Sequence, residues 1–250
     1  MPYTIVQHDR ENGHEWVVAT ATCQMDDAND TLLRCIVDLV RRSYGEDEIL
    51  SDAADLLGTE IAEGAFQVEH LVAAIRAGLP DPSAEGNKPP HLTTYRSQTA
   101  EMVAKAALAV AYGFEYPAAP QEGAANPNQP ILGFDGWGIA REENGAYVLV
   151  FVQVKGTDHA NCPPPDAAAL ADECRRVPVN TSALCRAMFL LARLLRGDPL
   201  QHVILRVLEG LGRGELPAMH VAPAIVRGAT NGQITDIQPV RELAHLRWTR

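Results

Sequence analysis

Apolar positions recur with a helical period early in the chain. Leu32, Leu33, Cys35, Ile36, Leu39 and Val40 follow Ala28-Asn29-Asp30, which offers a cap, so a helix is predicted there. A second helix is predicted from Ser51 through Leu57, and a third from Gln67 to Ala77, ended by Gly78 and Pro80. Residues 80–90, with Pro82, Gly86 and Pro89, read as a connector. They divide the chain into a mostly helical N-terminal region, 1–90, and a second region, 91–250. Beyond the connector, the alanine-rich stretch Ser97 to Tyr112 is predicted to be helical up to Gly113. A loop rich in Pro, Gly and Asn follows from Pro117 to Pro130.

The period then changes. Ile131–Ala140 and Ala146–Lys155 read as strands flanking Glu142-Glu143-Asn144-Gly145, and Asn-Gly between apolar runs is a strong hairpin signal. Val148 to Val152 is an unbroken apolar run, as expected of a strand covered on both faces. After Pro163–Pro165, helices are predicted at Asp166–Arg176 and Thr181–Leu195, and strands at Val203–Leu208 and His220–Val226. Gly210-x-Gly212-x-Gly214 lacks the strand-to-helix setting of a dinucleotide site and reads as a loop. The order helix, strand, strand, helix, strand predicts an α/β (or α+β) fold, a sheet flanked by helices.

Composition narrows the setting. With 250 residues, 46% of them hydrophobic, the chain is long enough for one good core. No apolar stretch is long enough to cross a bilayer and Met1–Arg10 lacks a signal-peptide pattern, so no membrane partner and a cytoplasmic location are expected. The five cysteines contain no C-x-x-C pair, which argues for reduced thiols rather than a disulfide framework. The formal net charge of −11 opposes unaided grip on a polyanion. Arg41-Arg42, Arg175-Arg176 and the arginines from Arg186 to Arg196 are the clearest basic groups.

Candidate chemistry lies in the hairpin. Gln153 and Lys155 are two apart, so in a strand they project to one face while Val154 points to the other. A lysine at the end of a buried strand must be paired or serve a purpose, because burying an unpaired ammonium is costly. Hydrolysis of a phosphodiester with a divalent metal needs hard oxygen ligands, a positioned water and positive charge near the phosphate. Asp135 can supply a carboxylate, Gln153 and the Val154 carbonyl neutral oxygens, and Lys155 the charge.

Asp135 followed by Gln153-x-Lys155 resembles the PD-(D/E)XK nuclease signature in the Q-x-K form of Mrr-like enzymes. The resemblance implies a restriction-endonuclease-like mixed sheet over residues 91–250 and magnesium or manganese held by Asp135, Gln153, Val154 and a glutamate from the preceding helix. Glu101 stands at the corresponding place. Ile131-Leu132-Gly133-Phe134-Asp135 with Phe151-Val152-Gln153-Val154-Lys155-Gly156-Thr157 is also similar to the HamA nuclease subunits of Hachiman anti-phage defence systems. That similarity implies a nucleic-acid substrate, with DNA favoured over RNA, and a helicase partner that supplies grip. The rival expectation is an inactive nuclease-fold interaction subunit, because Gln153 replaces the usual acid; a third is an acidic adaptor unrelated to nucleases.

Several of these residues also have plainer readings. Glu101 and Lys105 can form an i,i+4 surface pair worth about 0.2–0.5 kcal/mol, with Glu115 as an alternative acid. Thr157, Asp158 and His159 can be ordinary loop residues. His159, Cys162 and Cys174 lack a clear fourth metal ligand, and Trp16, Trp137 and Trp248 are too scattered for a base-stacking platform. Register provides a sharper test. A two-residue Asn144-Gly145 turn would pair Glu143 with Ala146 and set Asp135 opposite Val154, on the wrong face. A shared site therefore requires an odd-length loop, a bulge, or a bend near Gly136-Trp137-Gly138.

Overall fold

The computed structural model describes residues 3–11, 13–24, 26–43, 68–77, 90–116, 135–142, 144–175, 181–215, 217–228 and 230–243. The expected helix at 51–57, nearly all of the connector, the loop at 117–130 and the strand start at 131–134 lie outside them.

The centre is a three-stranded mixed sheet. Strands β3 (Gly136–Arg141) and β4 (Tyr147–Thr157) pair antiparallel, and β5 (Met219–Arg227) runs parallel to β4. Strand β4 lies in the middle. Its apolar run splits by parity, as pleating requires. Val150, Val152 and Val154 pack under Ala100, Ala104 and Leu108 of helix α3 (Pro90–Tyr112). Leu149 and Phe151 face the opposite layer, meeting Leu184, Met188 and Leu191 of α5 (Thr181–Leu194) and Ile204 of α6 (Gln201–Gly212). Helix α4 (Asp166–Arg175) buries Leu170, Ala171 and Cys174 beside them. The chain is thus mixed α/β, with its sheet covered by helices on both faces.

The helix–strand–strand–helix–strand order is present, with one element changed. Val203–Leu208, expected as a strand, lies inside α6. Val203, Ile204 and Leu211 are buried and Val207 and Leu208 partly so, a spacing of three and four that fits a helix and not a pleat. The last turn of the same helix takes up Gly210 and Gly212, where a loop was expected; Gly214, at φ +79°, follows its end.

The N-terminal region is less helical than expected. Helices α1 (Thr31–Ser43) and α2 (Val68–Ala77) are present, and Asp30 caps α1 by accepting the Leu32 and Leu33 N–H groups at 2.9 Å. Ahead of them, β1 (Thr4–Glu11) and β2 (His14–Thr20) form a two-stranded antiparallel hairpin. It packs on the core rather than standing apart. Trp16 joins Leu170, Val240 and Leu243 in one cluster, the last two from α7 (Gln238–Leu243). Arg241 of α7 holds Asp9 at 2.6 Å and Glu11 at 3.0 Å. Among the described residues, no helix is long and apolar enough to cross a membrane.

Candidate active site

The turn between β3 and β4 decides whether the three motif residues can meet. Arg141 pairs with Tyr147, leaving positions 142–146, an odd number, between them. The Glu142 N–H donates to Ala146 O at 2.9 Å and the Gly145 N–H to Glu142 O at 2.8 Å, with Gly145 at φ +83°. This is the closure of a hairpin whose last loop residue takes the left-handed conformation that glycine allows. The ladder then runs to Gly136 opposite Val152, and one further step sets Asp135 opposite Gln153. The odd connection puts both on one face.

Asp135, Gln153 and Lys155 accordingly come together at the end of β4. Gln153 is 6% exposed, and its amide Nε2 donates to Asp135 Oδ2 at 3.0 Å. The same carboxylate oxygen accepts the Val154 N–H at 2.6 Å. The Gln153 amide also donates to Glu173 Oε2 at 2.8 Å, and Lys155 Nζ meets Glu173 Oε1 at 2.6 Å. One glutamate of α4 therefore grips both polar residues of the strand. Burial, with Glu173 adding to it, pushes the Asp135 carboxyl above the ordinary aspartate range, against the pull of the Val154 N–H, Lys155 and Lys105. Burial together with Glu173 and Asp135 pushes the neighbouring Cys174 thiol up to about 12, so it stays protonated at neutral pH.

Glu101 approaches from a different layer. It rides on α3, the helix covering the even face of β4, whereas Gln153 and Lys155 project to the odd face under α4. It bears electrostatically on Lys105, as Asp135 does. That lysine is not the solvated surface group expected from i,i+4 spacing. Burial pushes its ammonium below the ordinary lysine value, opposed by Glu101 and Asp135. Its side chain lies against Gly136, where an added Cβ would collide with Lys105 Cε and come within 2.8 Å of Nζ. Glu115 is exposed and pairs through its backbone with Ile139. It does not join the site.

The loop after β4 is held from below. Arg227 Nη2 donates to His159 O at 2.6 Å and Nη1 to Asn161 O at 3.0 Å, while Nη1 also pairs with Asp236 at 2.8 Å. Thr157 is buried and accepts the His159 N–H at 3.3 Å. Cys162 turns to Thr235 and Gln233, whereas Cys174 sits in the core.

The donor chemistry suits a hard divalent cation: two carboxylates meet on one amide, with a strand carbonyl and a lysine beside them. Among the described residues, however, no group of three or more His, Cys, Asp or Glu side chains could hold a metal ion. A metal here would depend on neutral oxygens as well as carboxylates. Sequence reasoning missed Glu173 and the burial of Lys105. The available signals were a glutamate next to Cys174 on the apolar stripe of α4, and a lysine set among Ala100, Ala104 and Leu108. Comparison with family models, curated proteins and solved structures finds no match to this chain.

Proposed function

We propose that the chain is a metal-dependent nuclease that hydrolyses phosphodiester bonds, with DNA as the favoured substrate and bacterial anti-phage defence as its setting. The observation that carries the reading is the odd hairpin connection, which brings Asp135 onto Gln153 and the Val154 N–H beside Lys155. The arrangement around it, a helix, an antiparallel hairpin, a helical crossover and a parallel strand, supports a restriction-endonuclease-like reading of this mixed α/β core.

In this reading Asp135, the side-chain oxygen of Gln153 and the Val154 carbonyl would hold magnesium or manganese, with Glu101 as the further carboxylate that the family resemblance suggests. When bound, such a metal would supply Lewis-acid chemistry toward the phosphate. Lys155 places positive charge where the transition state gathers negative charge. The net charge of −11 calls for a partner that grips the substrate, and the resemblance makes that partner a helicase. A cytoplasmic location accords with this role. One observation favours the rival reading of an inactive interaction subunit: Glu173 already occupies both the Gln153 amide and Lys155.

The test is to incubate the purified chain with plasmid, linear DNA and RNA, each with magnesium, manganese or a chelator. Metal-dependent cleavage that the chelator stops and Lys155→Ala removes is expected. If the chain alone is silent, it is repeated with the partner recovered from the native host. Intact substrate in every arm, partner included, would leave the interaction-subunit reading standing.

A further inference from the structure

A PD-(D/E)XK-like site with glutamine in place of its second acid is one negative charge short, and α4 carries a residue that restores it. We propose that Glu173 is the second carboxylate of the metal site, a ligand reaching in from α4 at the point where Gln153 cannot supply charge. The proposal rests on the metal-dependent reading above.

Three observations point to Glu173. The first is convergence: Asp135 Oδ2 and Glu173 Oε2 meet on the same nitrogen, Gln153 Nε2, at 3.0 and 2.8 Å. Rotation of that amide about its last bond exchanges nitrogen for oxygen at the same place, which is the atom a cation held by the two carboxylates needs. The second is the face of the sheet. Gln153 and Lys155 share the odd face of β4, which α4 covers, while Ala100 and Ala104 on either side of Glu101 pack against Val150, Val152 and Val154 on the even face. The third is electrostatic reach. The charged groups that bear on Asp135 include Glu173, with Lys155 and Lys105. Glu173 also holds Lys155 with its other oxygen at 2.6 Å, so one side chain both adds the missing charge and fixes the lysine.

Calorimetric titration with Mn²⁺ of wild type, Asp135→Asn, Glu173→Gln and the double variant Gln153→Glu/Glu173→Gln tests this. Glu173→Gln keeps size and hydrogen-bonding capacity and removes only charge. It should weaken Mn²⁺ binding about 10–100-fold or more, the range seen when even outer partners of metal ligands are removed. The double variant moves the carboxylate from α4 to β4 and should recover most of that loss; circular dichroism and a thermal melt check each fold. Glu173→Asp, whose carboxylate stops one methylene short, serves if Glu173→Gln does not fold and should bind more weakly than wild type. Unchanged binding in the folded Glu173 variants overturns the proposal. So does a loss that the double variant does not recover, since Glu173 would then serve only to hold Lys155. Wild type that takes up no Mn²⁺ through Asp135 overturns the metal reading itself, and this proposal with it.

Discussion

Two ion pairs flank the same end of the central sheet and are built for different purposes. Arg227, at the end of β5, and Asp236 have side chains 4% and 6% exposed. Their bonding capacity is taken up within the protein: Arg227 also serves Thr230, Asn161 and His159, and Asp236 accepts the Gln233 N–H. Lys155 and Glu173, a strand away, are 28% and 36% exposed. They share their bonds with a buried amide and, through it, with Asp135. A dry and fully satisfied pair fixes chain geometry. A half-open pair tied to a carboxylate of raised pKa can exchange partners, and that is where chemistry is to be sought.

The largest expected effect breaks the first pair. Asp236→Ala would leave the Arg227 guanidinium buried without its counter-charge, at a cost of about 3–5 kcal/mol. Urea unfolding measures it. A loss below 1 kcal/mol would mean that the pair is open to water and the contrast between the two ends is false. Lys155→Ala should do the reverse: little change in unfolding, but a rate loss on the order of 10²–10³ in metal-dependent cleavage. Wild-type turnover by that variant would remove Lys155 from the mechanism.

A third expectation concerns pH. Because burial raises the folded Asp135 carboxyl above its ordinary 3.8, its contribution to stability is present below that value and is lost as pH rises through the raised one. Asp135→Asn cannot lose it. The stability difference between the two should therefore shift toward the variant as pH climbs from about 3.8, and a flat difference across the acid range would show that the carboxyl is not raised.

How much of this was legible follows the same contrast. Asp135, Gln153 and Lys155 could be read because they lie on one hairpin, where register and strand period convert sequence distance into spatial distance. Even the need for an odd connection could be worked out from the numbering alone. Glu173 could not be found this way, because it reaches the site across the layer from α4 to β4, and a glutamate beside an apolar stripe does not say which strand that stripe covers. Arg227 and Asp236 are hidden for the same reason: β5 becomes a neighbour of β4 only through a helical crossover. Val203–Leu208 failed differently. A short apolar run carries both periods, and the layer above the sheet settled it as a helix. The N-terminal hairpin did leave a signal, Asn12-Gly13. The strands around it are too polar for the signal to stand out, since only Trp16 and Val18 of β2 are buried and β1 is exposed throughout.

The smallest effect belongs to the turn on which the shared face depends. Gly145 sits at φ +83°, and nothing lies within 4 Å of a Cβ added there. Gly145→Ala therefore meets no steric contact and costs only the strain of a left-handed alanine, about 1–2 kcal/mol. The register is also secured by the six ladder pairs from Gly136↔Val152 to Arg141↔Tyr147, and a one-residue slip would turn the buried Val150 and Phe151 to the wrong layers. The substitution should thus lower stability modestly and leave cleavage per folded molecule unchanged. Gly145→Asn, which tolerates the same conformation better, should recover part of the loss. If Gly145→Ala instead abolished cleavage in a folded protein, the turn would be choosing between registers, and Asp135 would owe its place opposite Gln153 to one residue's conformation rather than to the packing of β4.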